Sequence, residues 1–409
     1  MIRAPAHPVA SLRAWPLLLP VAWLAPACGE AGGAGLARPT LDTLPNGVLQ
    51  VRSSGPTGWR ADRGWRLVEA LRITGEEGSE AELINPVSMT VDEAGRIWVV
   101  DQKPAAIKVY APDGRFIRTV GREGAGPGEF RVGFIAPGPG VMVLHDPQAS
   151  RTTVFDSGGA YLRSWASFCC YWSEIHVDRQ GRVYIPGMTA GENMTRGTTY
   201  YRFTLDGEVV DTIYVPGRDD LKYWTVRAGT GQGRMMMSMS VPFAPRIYST
   251  FDPDGGFVYG WSGAYEFTVT RTGPDSAVVF GRDWTPEPIG EDARRDTIEA
   301  MIASRKQMDE SLLRAAFKFE EMPATRPAFE AITVAGDGHR WVRVGPDSTG
   351  GILFDVFDPQ GAWLGALTSP IGFSAYGGVR IGAAEMVVLT EGADGRPAVV
   401  KLRIEKEPQ

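Results

Sequence analysis

The residues best suited to chemistry in this sequence are three histidines and a few carboxylates. His145, His176 and His339 follow the N-terminal segment, and three imidazoles are the ligand number of a catalytic zinc site. A calcium-like cation would instead need oxygen ligands, for which the sequence offers Asp101, Asp146, Glu174 and Glu391. Nucleophile motifs of the G-x-S-x-G and H-E-x-x-H types are absent from the sequence. Whether these side chains meet depends on the elements that carry them.

The composition favours one large all-β domain. The chain has 409 residues, and its 50 glycines and 30 prolines are spread along it, as turns between many short strands require. Hydrophobic residues make up 43% of the chain, which is ample for a core. The net charge of −6 gives no electrostatic drive towards nucleic acid, so we expect no such partner.

Residues 1–27 have the pattern of a signal peptide. Arg3 and Arg13 give the segment the positively charged N-terminal region of a signal peptide. The apolar stretch 15–28 is too short and too rich in proline to span a bilayer. Ala25-Pro26-Ala27 fits a cleavage site, and Cys28 follows at once. This placement resembles a bacterial lipobox, which implies that Cys28 becomes the lipidated N-terminus. A plain secreted protein is the alternative, and both interpretations place the cut after Ala27.

These features predict an extracytoplasmic protein, anchored to a membrane of the cell envelope or periplasm by a lipid on Cys28. Small residues after Cys28 predict a flexible tether over residues 28–60, followed by the folded domain over 61–409. The other two cysteines, Cys169 and Cys170, are adjacent. We interpret them as opposite faces of one strand, with a vicinal disulfide as the alternative.

A repeated unit explains most of the glycines. Each copy has an alternating strand, a tight turn with Asp or Gly, and a second strand with an aromatic residue: VSMTVDEAGRIWVVD (87–101), WSEIHVDRQGRVYIP (172–186), RIYSTFDPDGGFVYG (246–260) and FEAITVAGDGHRWVRV (329–344), with VGFIAPGPGVMVLHD (132–146) as a degraded copy. A second hairpin follows each copy, so the unit has four strands. Compact copies are about 40 to 46 residues apart, which is the period of propeller blades.

The count of units predicts a six-bladed β-propeller. Five units are complete, and a sixth over residues 379–406 supplies only three strands. The missing outer strand is Arg66–Thr74, because its position before the first blade lets the two chain ends close the ring and remove an exposed sheet edge.

The glycine-rich stretch GREGAGPGEF (121–130) connects the outer strand of blade one to the inner strand of blade two. It fails both phosphate-binding templates, since no Lys-Ser/Thr follows it and no βα unit surrounds it. Together with DEAGRIWVVD and IKVYAPDGRFIRTVG it resembles NHL-type repeats, and FEAITVAGDGHRWVRV with FDVFDPQGAWLGAL is similar to the six-bladed β-propeller lipoproteins of bacteria. The resemblance covers residues 66–406. It implies the fold but not the activity, because NHL-like propellers include binding modules, RNA binders, lyases and lactonases.

The repeat register places the histidines at three different heights, which argues against a three-histidine zinc site. His176 lies on an inner strand, where other blades carry Thr90, Thr250 and Thr333, and Glu174 precedes it by two residues. We predict these five residues as ligand-binding, with a hydrogen-bonded core histidine as the alternative for His176. Asp101 and Asp146 occupy the same position of the repeat, and each is followed a few residues later by a basic residue, Lys108 or Arg151. We interpret both aspartates as structural.

Residues 291–319 have apolar side chains at helical spacing. They predict one or two helices inserted between blades four and five, over about residues 287–322. Two roles remain open for this insertion: a structural element packed on the propeller, or a lid over the axial pocket.

The sequence therefore favours a monomeric, non-catalytic binding module for a protein, peptide or glycan, with no cofactor and no metal ligands assigned. The alternative is a metal-assisted, lactonase-like hydrolase or lyase with an axial site and a divalent cation. That alternative requires a ring of acids or histidines at one height, and the register does not supply one.

Overall fold

Short antiparallel strands joined by glycine turns make up most of the chain. A computed structural model of the protein describes residues 39–55, 59, 64–167, 174–187, 197–228, 235–271, 278–346, 350–373, 378–392 and 394–406. The glycines that anchor the repeat adopt left-handed backbone, with φ of 75° at Gly95, 80° at Gly181 and 97° at Gly255. A residue with a Cβ would be strained there, which is why glycine marks the turns.

The first strands along the chain lead into blade one. The segments before it are β1 (Thr40–Thr43), β2 (Leu49–Ser53) and β3 (Arg66–Ile73). Blade one consists of β4 (Pro86–Val91), β5 (Ile97–Gln102), β6 (Ala105–Tyr110) and β7 (Phe116–Val120). The glycine-rich connector after it forms a short parallel pair, β8 (Arg122–Glu123) and β9 (Glu129–Phe130), in which Arg122 forms an ion pair with Glu129. Its structure is that of a chain connector, as the sequence predicted.

Blades two to four continue the same pattern. Blade two consists of β10 (Phe134–Gly138), β11 (Val141–Asp146), β12 (Arg151–Asp156) and β13 (Tyr161–Ala166). Blade three consists of β14 (His176–Val177), β15 (Val183–Gly187), β16 (Gly197–Phe203) and β17 (Val209–Pro216). A separate hairpin follows, with β18 (Tyr223–Ala228) and β19 (Met235–Ser240). Blade four consists of β20 (Ile247–Asp252), β21 (Gly256–Trp261), β22 (Glu266–Arg271) and β23 (Val278–Arg282).

Two helices separate blade four from blade five, as the sequence predicted. They are α1 (Glu291–Ala303) and α2 (Glu310–Ala316), followed by a 3₁₀ turn at Phe319–Glu321. Blade five consists of β24 (Ala331–Val334), β25 (Arg340–Pro346), β26 (Ile352–Phe357) and β27 (Trp363–Ser369). Blade six consists of β28 (Val379–Ile381), β29 (Glu385–Glu391) and β30 (Pro397–Glu405), completed by β3.

The fold is a six-bladed β-propeller of four-stranded antiparallel blades, which confirms the sequence prediction. The predicted ring closure is confirmed as well: β3 pairs antiparallel with β30, from Arg66 opposite Glu405 to Ile73 opposite Val399. The first strand of each blade is innermost, and β4 lies beside both β10 and β28. The inner strands therefore surround the axis of the ring.

The predicted tether over residues 28–60 is wrong for its second half. β1 and β2 form a hairpin, and β2 pairs in parallel with β23, from Leu49 opposite Val278 to Ser53 opposite Arg282. Val51 is buried in one cluster with Phe280 and Phe357. The alternation of Val51 and Ser53 with Gln50 and Arg52 is a strand pattern, and the burial of Val51 and Ser53 stabilises it, whereas Leu49 at the start of the strand is exposed. Residues 28–38 lie outside the described part of the chain.

The β18–β19 hairpin and helices α1 and α2 pack on each other and are called here the accessory unit. Trp224 and Val226 of the hairpin share a buried cluster with Ile302, Leu313 and Phe317 of the helical insertion. The Trp224 and Phe317 rings stack at 4.9 Å. The apolar stripe of the helices is therefore covered by the hairpin. Within the described residues, neither helix is long and apolar enough to cross a membrane.

Strand direction separates the two faces of the propeller. Successive strands in a blade are antiparallel, so all turns between first and second strands lie on one face, called here the turn face. Connections from an outer strand to the next inner strand lie on the opposite face, called here the connection face. Both parts of the accessory unit are inserted in such connections, between β17 and β20 and between β23 and β24.

Candidate functional site

The inner strands enclose a cavity of about 760 Å³ on the propeller axis. This volume is within the usual range for small-molecule sites. Residues from all six blades line it, including one from each inner strand: Thr90, Pro137, His176, Thr250, Thr333 and Arg380. Residues of the turns, such as Glu93 and Arg179, also line it, whereas no described residue of the accessory unit does. Of the two roles left open for the insertion, the lining gives no support to a lid, and the helices pack on the β18–β19 hairpin.

The polar lining follows from strand register. Thr90 lies opposite Trp98, His176 opposite Tyr184, and Thr333 opposite Trp341 in the first hairpins of blades one, three and five. In each of these hairpins, the lining residue lies two positions before the residue whose N–H closes the turn. The same spacing identifies Thr250 in blade four and Arg380 in blade six. Alternate side chains of a strand point to one face, so equivalent positions of successive blades meet at one height. We call Thr90, His176, Thr250, Thr333 and Arg380 the axial ring.

All five ligand-binding residues predicted from the sequence line this cavity. Thr90, His176, Thr250 and Thr333 belong to the axial ring, and Glu174 lies two residues before His176 on the same strand side. The structure therefore places these five side chains around one cavity, as the strand register indicated. Whether they bind a ligand is a separate question, taken up below.

Sequence reasoning missed Arg380. Blade six has a shortened first hairpin, in which Gly382 N–H donates to Glu385 O, so the turn glycine that aligned the other blades does not align this one. The signal was nonetheless present, because Arg380 is a polar residue between the apolar Val379 and Ile381. Counting back from the hairpin closure would have placed Arg380 beside the threonines and His176.

Glu174 and Arg380 form an ion pair across the propeller axis. Blades three and six are opposite each other in a ring of six, and Glu174 Oε2 lies 3.7 Å from Arg380 Nη2. Both side chains remain about 30% exposed, at 30% and 27%. The distance exceeds that of a hydrogen bond, so carboxylate and guanidinium neutralise each other while retaining hydrogen-bonding capacity.

His176 is held by aromatic side chains of blade four. Its ring stacks on Phe251 with centroids 4.8 Å apart and an angle of 7° between planes. Burial lowers the pKa of His176 from its usual 6.5 to about 4, although Glu174 opposes this shift. His176 is therefore a neutral imidazole near pH 7, with one nitrogen able to donate and the other able to accept a hydrogen bond.

The threonines supply the hydroxyl groups of the axial ring. Thr90 is almost fully buried, and its Oγ1 has no hydrogen-bond partner among the described residues. Thr250 and Thr333 are half-buried. A buried hydroxyl without a partner costs stability, so a ligand or water that reached Thr90 would offset that cost. Blade two contributes only apolar and backbone groups, since Ala136, Pro137 and Gly138 line its sector.

Charges at the turn-face mouth of the cavity are held in ion pairs. Asp92 accepts from Arg96, and Asp178 accepts from Arg182. Arg179 pairs with Asp254 of blade four and donates to Gly336 O of blade five at 2.7 Å. The Arg179 side chain thus links three neighbouring blades at the mouth.

Asp101 and Asp146 are structural, as their shared repeat position indicated. Asp101 accepts the N–H groups of Ile84 and Asn85 at 2.7 and 2.8 Å, and Asp146 accepts that of Arg131 at 2.8 Å. Both carboxylates therefore fix the connection that enters their blade, and neither lines the axial cavity.

The other two histidines lie apart from the cavity lining. His145 is fully buried in blade two, where Nδ1 lies 3.2 Å from both Thr152 Oγ1 and Ser167 Oγ. His339 lies in a blade-five turn, with Nδ1 3.0 Å from Asp337 Oδ1 and its ring beside Trp65. Across the described ranges, no three His, Cys, Asp or Glu side chains are grouped as ligands for a metal ion. Cys28, the predicted lipid-attachment residue, and the pair Cys169 and Cys170 lie outside the described residues.

Comparisons with known proteins identify the fold and go no further. No family model matches the chain, and no curated protein does. A member of the DUF4221 family from Bacteroides vulgatus has a similar structure, with a TM-score of 0.50, 12% identity, and coverage of 85% of this chain and 100% of that one. At this identity the likeness shows the propeller fold alone.

Two enzymes are more distant structural neighbours. Virginiamycin B lyase from Staphylococcus aureus has a TM-score of 0.39 and 11% identity, covering 83% of this chain and 99% of that one. The PQQ-bound aldose sugar dehydrogenase from Streptomyces coelicolor has a TM-score of 0.42 and 14% identity, covering 84% and 99%. Similarity at this level carries no argument about the chemistry of the present chain.

Proposed function

We propose that this chain is an extracytoplasmic binding module that takes up a peptide or glycan, free or as part of a larger partner, in the axial cavity without transforming it. The observation that supports this proposal is the axial ring. Five of the six inner strands place a polar side chain at one height around a cavity of about 760 Å³. A small number of convergent polar groups in a largely apolar pocket is the usual form of a ligand site.

The chemistry of the ring favours binding over catalysis. Three members are threonines, whose hydroxyls are weak acids and weak bases, and the Oγ1 of Thr90 has no partner among the described residues that could activate it as a nucleophile. His176 is neutral and stacked on Phe251. Glu174 is already neutralised by Arg380. These groups can donate and accept hydrogen bonds, and that is the activity they support best.

A cavity-filling substitution tests this proposal. Thr250→Trp adds an indole to a half-buried position of the axial ring and should occupy much of the cavity. We expect peptides or glycans from a screening panel to raise the melting temperature of the wild-type chain, because a ligand of the folded state stabilises it. The rise should be lost in Thr250→Trp.

Thr212→Trp is the matched control, since Thr212 is exposed on the outer strand β17. It should keep the response to ligand. A wild-type chain that responds to no peptide and no glycan would contradict the proposal, as would a Thr250→Trp chain that responds like the parent.

Membrane anchoring through Cys28 belongs to the same proposal. It is supported by the lipobox-like sequence, in which Ala25-Pro26-Ala27 precedes Cys28. Stable anchoring takes two or more acyl chains, so Cys28→Ser should move the protein from the membrane fraction to the soluble fraction. Fractionation followed by immunoblotting measures this. Unchanged membrane partition of Cys28→Ser would rule out the lipid anchor while leaving the cavity proposal intact.

A further inference from the structure

The cross-axis pair of Glu174 and Arg380 constrains the charge that a ligand in the cavity can carry. The two side chains come from opposite blades and lie 3.7 Å apart. A negatively charged ligand would be attracted by Arg380 and repelled by Glu174 at nearly the same distance. A positively charged ligand would be attracted by Glu174 and repelled by Arg380. The pair is therefore neutral towards its surroundings while both of its members stay able to hydrogen-bond.

The rest of the axial ring adds no charge. His176 is uncharged near pH 7, and the half-buried Thr250 and Thr333 contribute hydroxyl groups, whereas the Thr90 hydroxyl is buried behind the surface of the cavity. Each of these groups can both donate and accept a hydrogen bond. At the mouth, Asp92, Asp178 and Arg179 are engaged with other side chains. Glu93, in the blade-one turn that lines the mouth, is exposed to solvent, which screens its charge.

An apolar ring lies next to the polar one. The following residue of each strand also lines the cavity, and these residues are Val91, Val177, Phe251, Val334 and Ile381. The cavity thus presents hydroxyl, imidazole and paired charged groups beside apolar carbon, to which the half-buried Val91 and Val177 contribute more exposed surface than the largely buried Phe251, Val334 and Ile381. A neutral sugar has the complementary surface, with hydroxyl groups around the rim of each ring and C–H groups on its faces.

Neighbouring sugar hydroxyls also suit the ion pair. One hydroxyl can donate to the Glu174 carboxylate while the next accepts from the Arg380 guanidinium, so the two charges remain paired. A zwitterionic ligand, such as a free peptide, would bring its own ammonium and carboxylate groups into the cavity. Removing those charges from water in a partly buried site costs more free energy than removing hydroxyl groups.

We infer that the axial cavity binds an uncharged saccharide and that the Glu174–Arg380 pair selects against charged ligands. This inference rests on the proposed binding function of the same cavity and specifies its ligand class. Hydrogen bonds to charged groups are the stronger kind, so both members of the pair contribute to sugar affinity, although their charges are opposite.

Charge-neutralising variants give a sign pattern that distinguishes ligand classes. The probes are neutral trisaccharides of gluco, galacto and manno configuration, trigalacturonate as an anion, a glucosamine trimer as a cation, and tri-alanine blocked at both ends. Affinities of the purified full chain are measured by calorimetry for the wild type, Glu174→Gln and Arg380→Gln. Glu299→Gln is the control, because Glu299 is exposed on α1, away from the cavity lining, and pairs with Arg314 of α2.

For a neutral saccharide, both Glu174→Gln and Arg380→Gln should weaken binding by about tenfold or more. Wild-type affinity should change little between low and high salt, and Glu299→Gln should match the wild type. Circular dichroism and the melting temperature check that each variant is folded.

Other outcomes overturn the inference in recognisable ways. Preference for trigalacturonate, with tighter binding in Glu174→Gln, would identify an anion site. Preference for the glucosamine trimer, with tighter binding in Arg380→Gln, would identify a cation site. Binding of blocked tri-alanine alone would identify a peptide site; in all three cases the proposed binding function stands. Failure of every probe to bind would overturn the binding function as well.

Discussion

His145 in the interior of blade two and His176 at the axis share one electrostatic property but have different surroundings. Burial lowers the pKa of each from 6.5 to about 4. His145 is enclosed by Thr152 and Ser167, whereas His176 lines an open cavity. The comparison teaches that a lowered histidine pKa reports burial, and that geometry decides whether the residue can serve a ligand.

The largest expected effect is on stability at His145. His145→Ala removes a fully buried ring and leaves the hydroxyls of Thr152 and Ser167 without their shared partner. We expect the free energy of unfolding to fall by about 3 kcal/mol, from the cavity and the lost hydrogen bonds together. Urea unfolding at pH 7 measures this.

His176→Ala should affect ligand affinity more than stability, which is the reverse of the effect expected for His145→Ala. Its half-buried ring faces the cavity, so the free energy of unfolding should fall by only about 1 kcal/mol. Ligand affinity should fall instead by about 1–3 kcal/mol, while His145→Ala should leave affinity unchanged. Equal losses of stability in the two variants, with no change in binding, would show that His176 is a core residue.

Acid should weaken the fold through both histidines, and the effect of each should be smaller than that of His145→Ala. A folded pKa of about 4 against an unfolded value of 6.5 means that the unfolded chain takes up protons first as the pH falls. Stability is therefore retained above pH 6.5 and lost as the pH falls towards 4. By pH 4.5 each buried histidine should cost about 2 kcal/mol.

Asparagine variants isolate this titration. His145→Asn and His176→Asn should each reduce the loss of unfolding free energy between pH 7 and pH 4.5, and the double variant should reduce it further. Urea unfolding at the two pH values provides the measurement. An unchanged acid loss in His145→Asn would assign the pH dependence to other groups.

Sequence reasoning was most successful where the repeat is regular. Period-2 alternation and the turn glycines predicted six blades, the closing strand Arg66–Thr74 and the shared height of Thr90, Thr250, Thr333 and His176. These features depend on local geometry, which repeats with the sequence.

The same reasoning failed where the determinant is a contact between distant segments. Arg380 was missed because the blade-six hairpin is shorter and shifts the register. The hairpin β1–β2 was missed because its strand pattern is short, and it is stabilised by contacts with distant segments, such as the pairing of β2 with β23 and the burial of Val51 beside Phe280 of blade four. The pairing of Glu174 with Arg380 joins residues more than two hundred positions apart, and no local pattern encodes that distance.

The placement of the β1–β2 hairpin on the outside of blade four has a mechanical consequence. Tension applied at Thr40 acts on the end of the hairpin where Thr40 lies opposite Arg52, so the strand pairs open one after another, as in unzipping, and little force is needed for each. Once the hairpin and β2 have peeled from β23, residues 40–58 can extend to a span of about 65 Å before the load reaches Trp59, which is buried in one cluster with Leu67 of β3. Force applied on the N-terminal side of the domain therefore unfolds and extends the hairpin before it acts on β3, the strand that closes the ring.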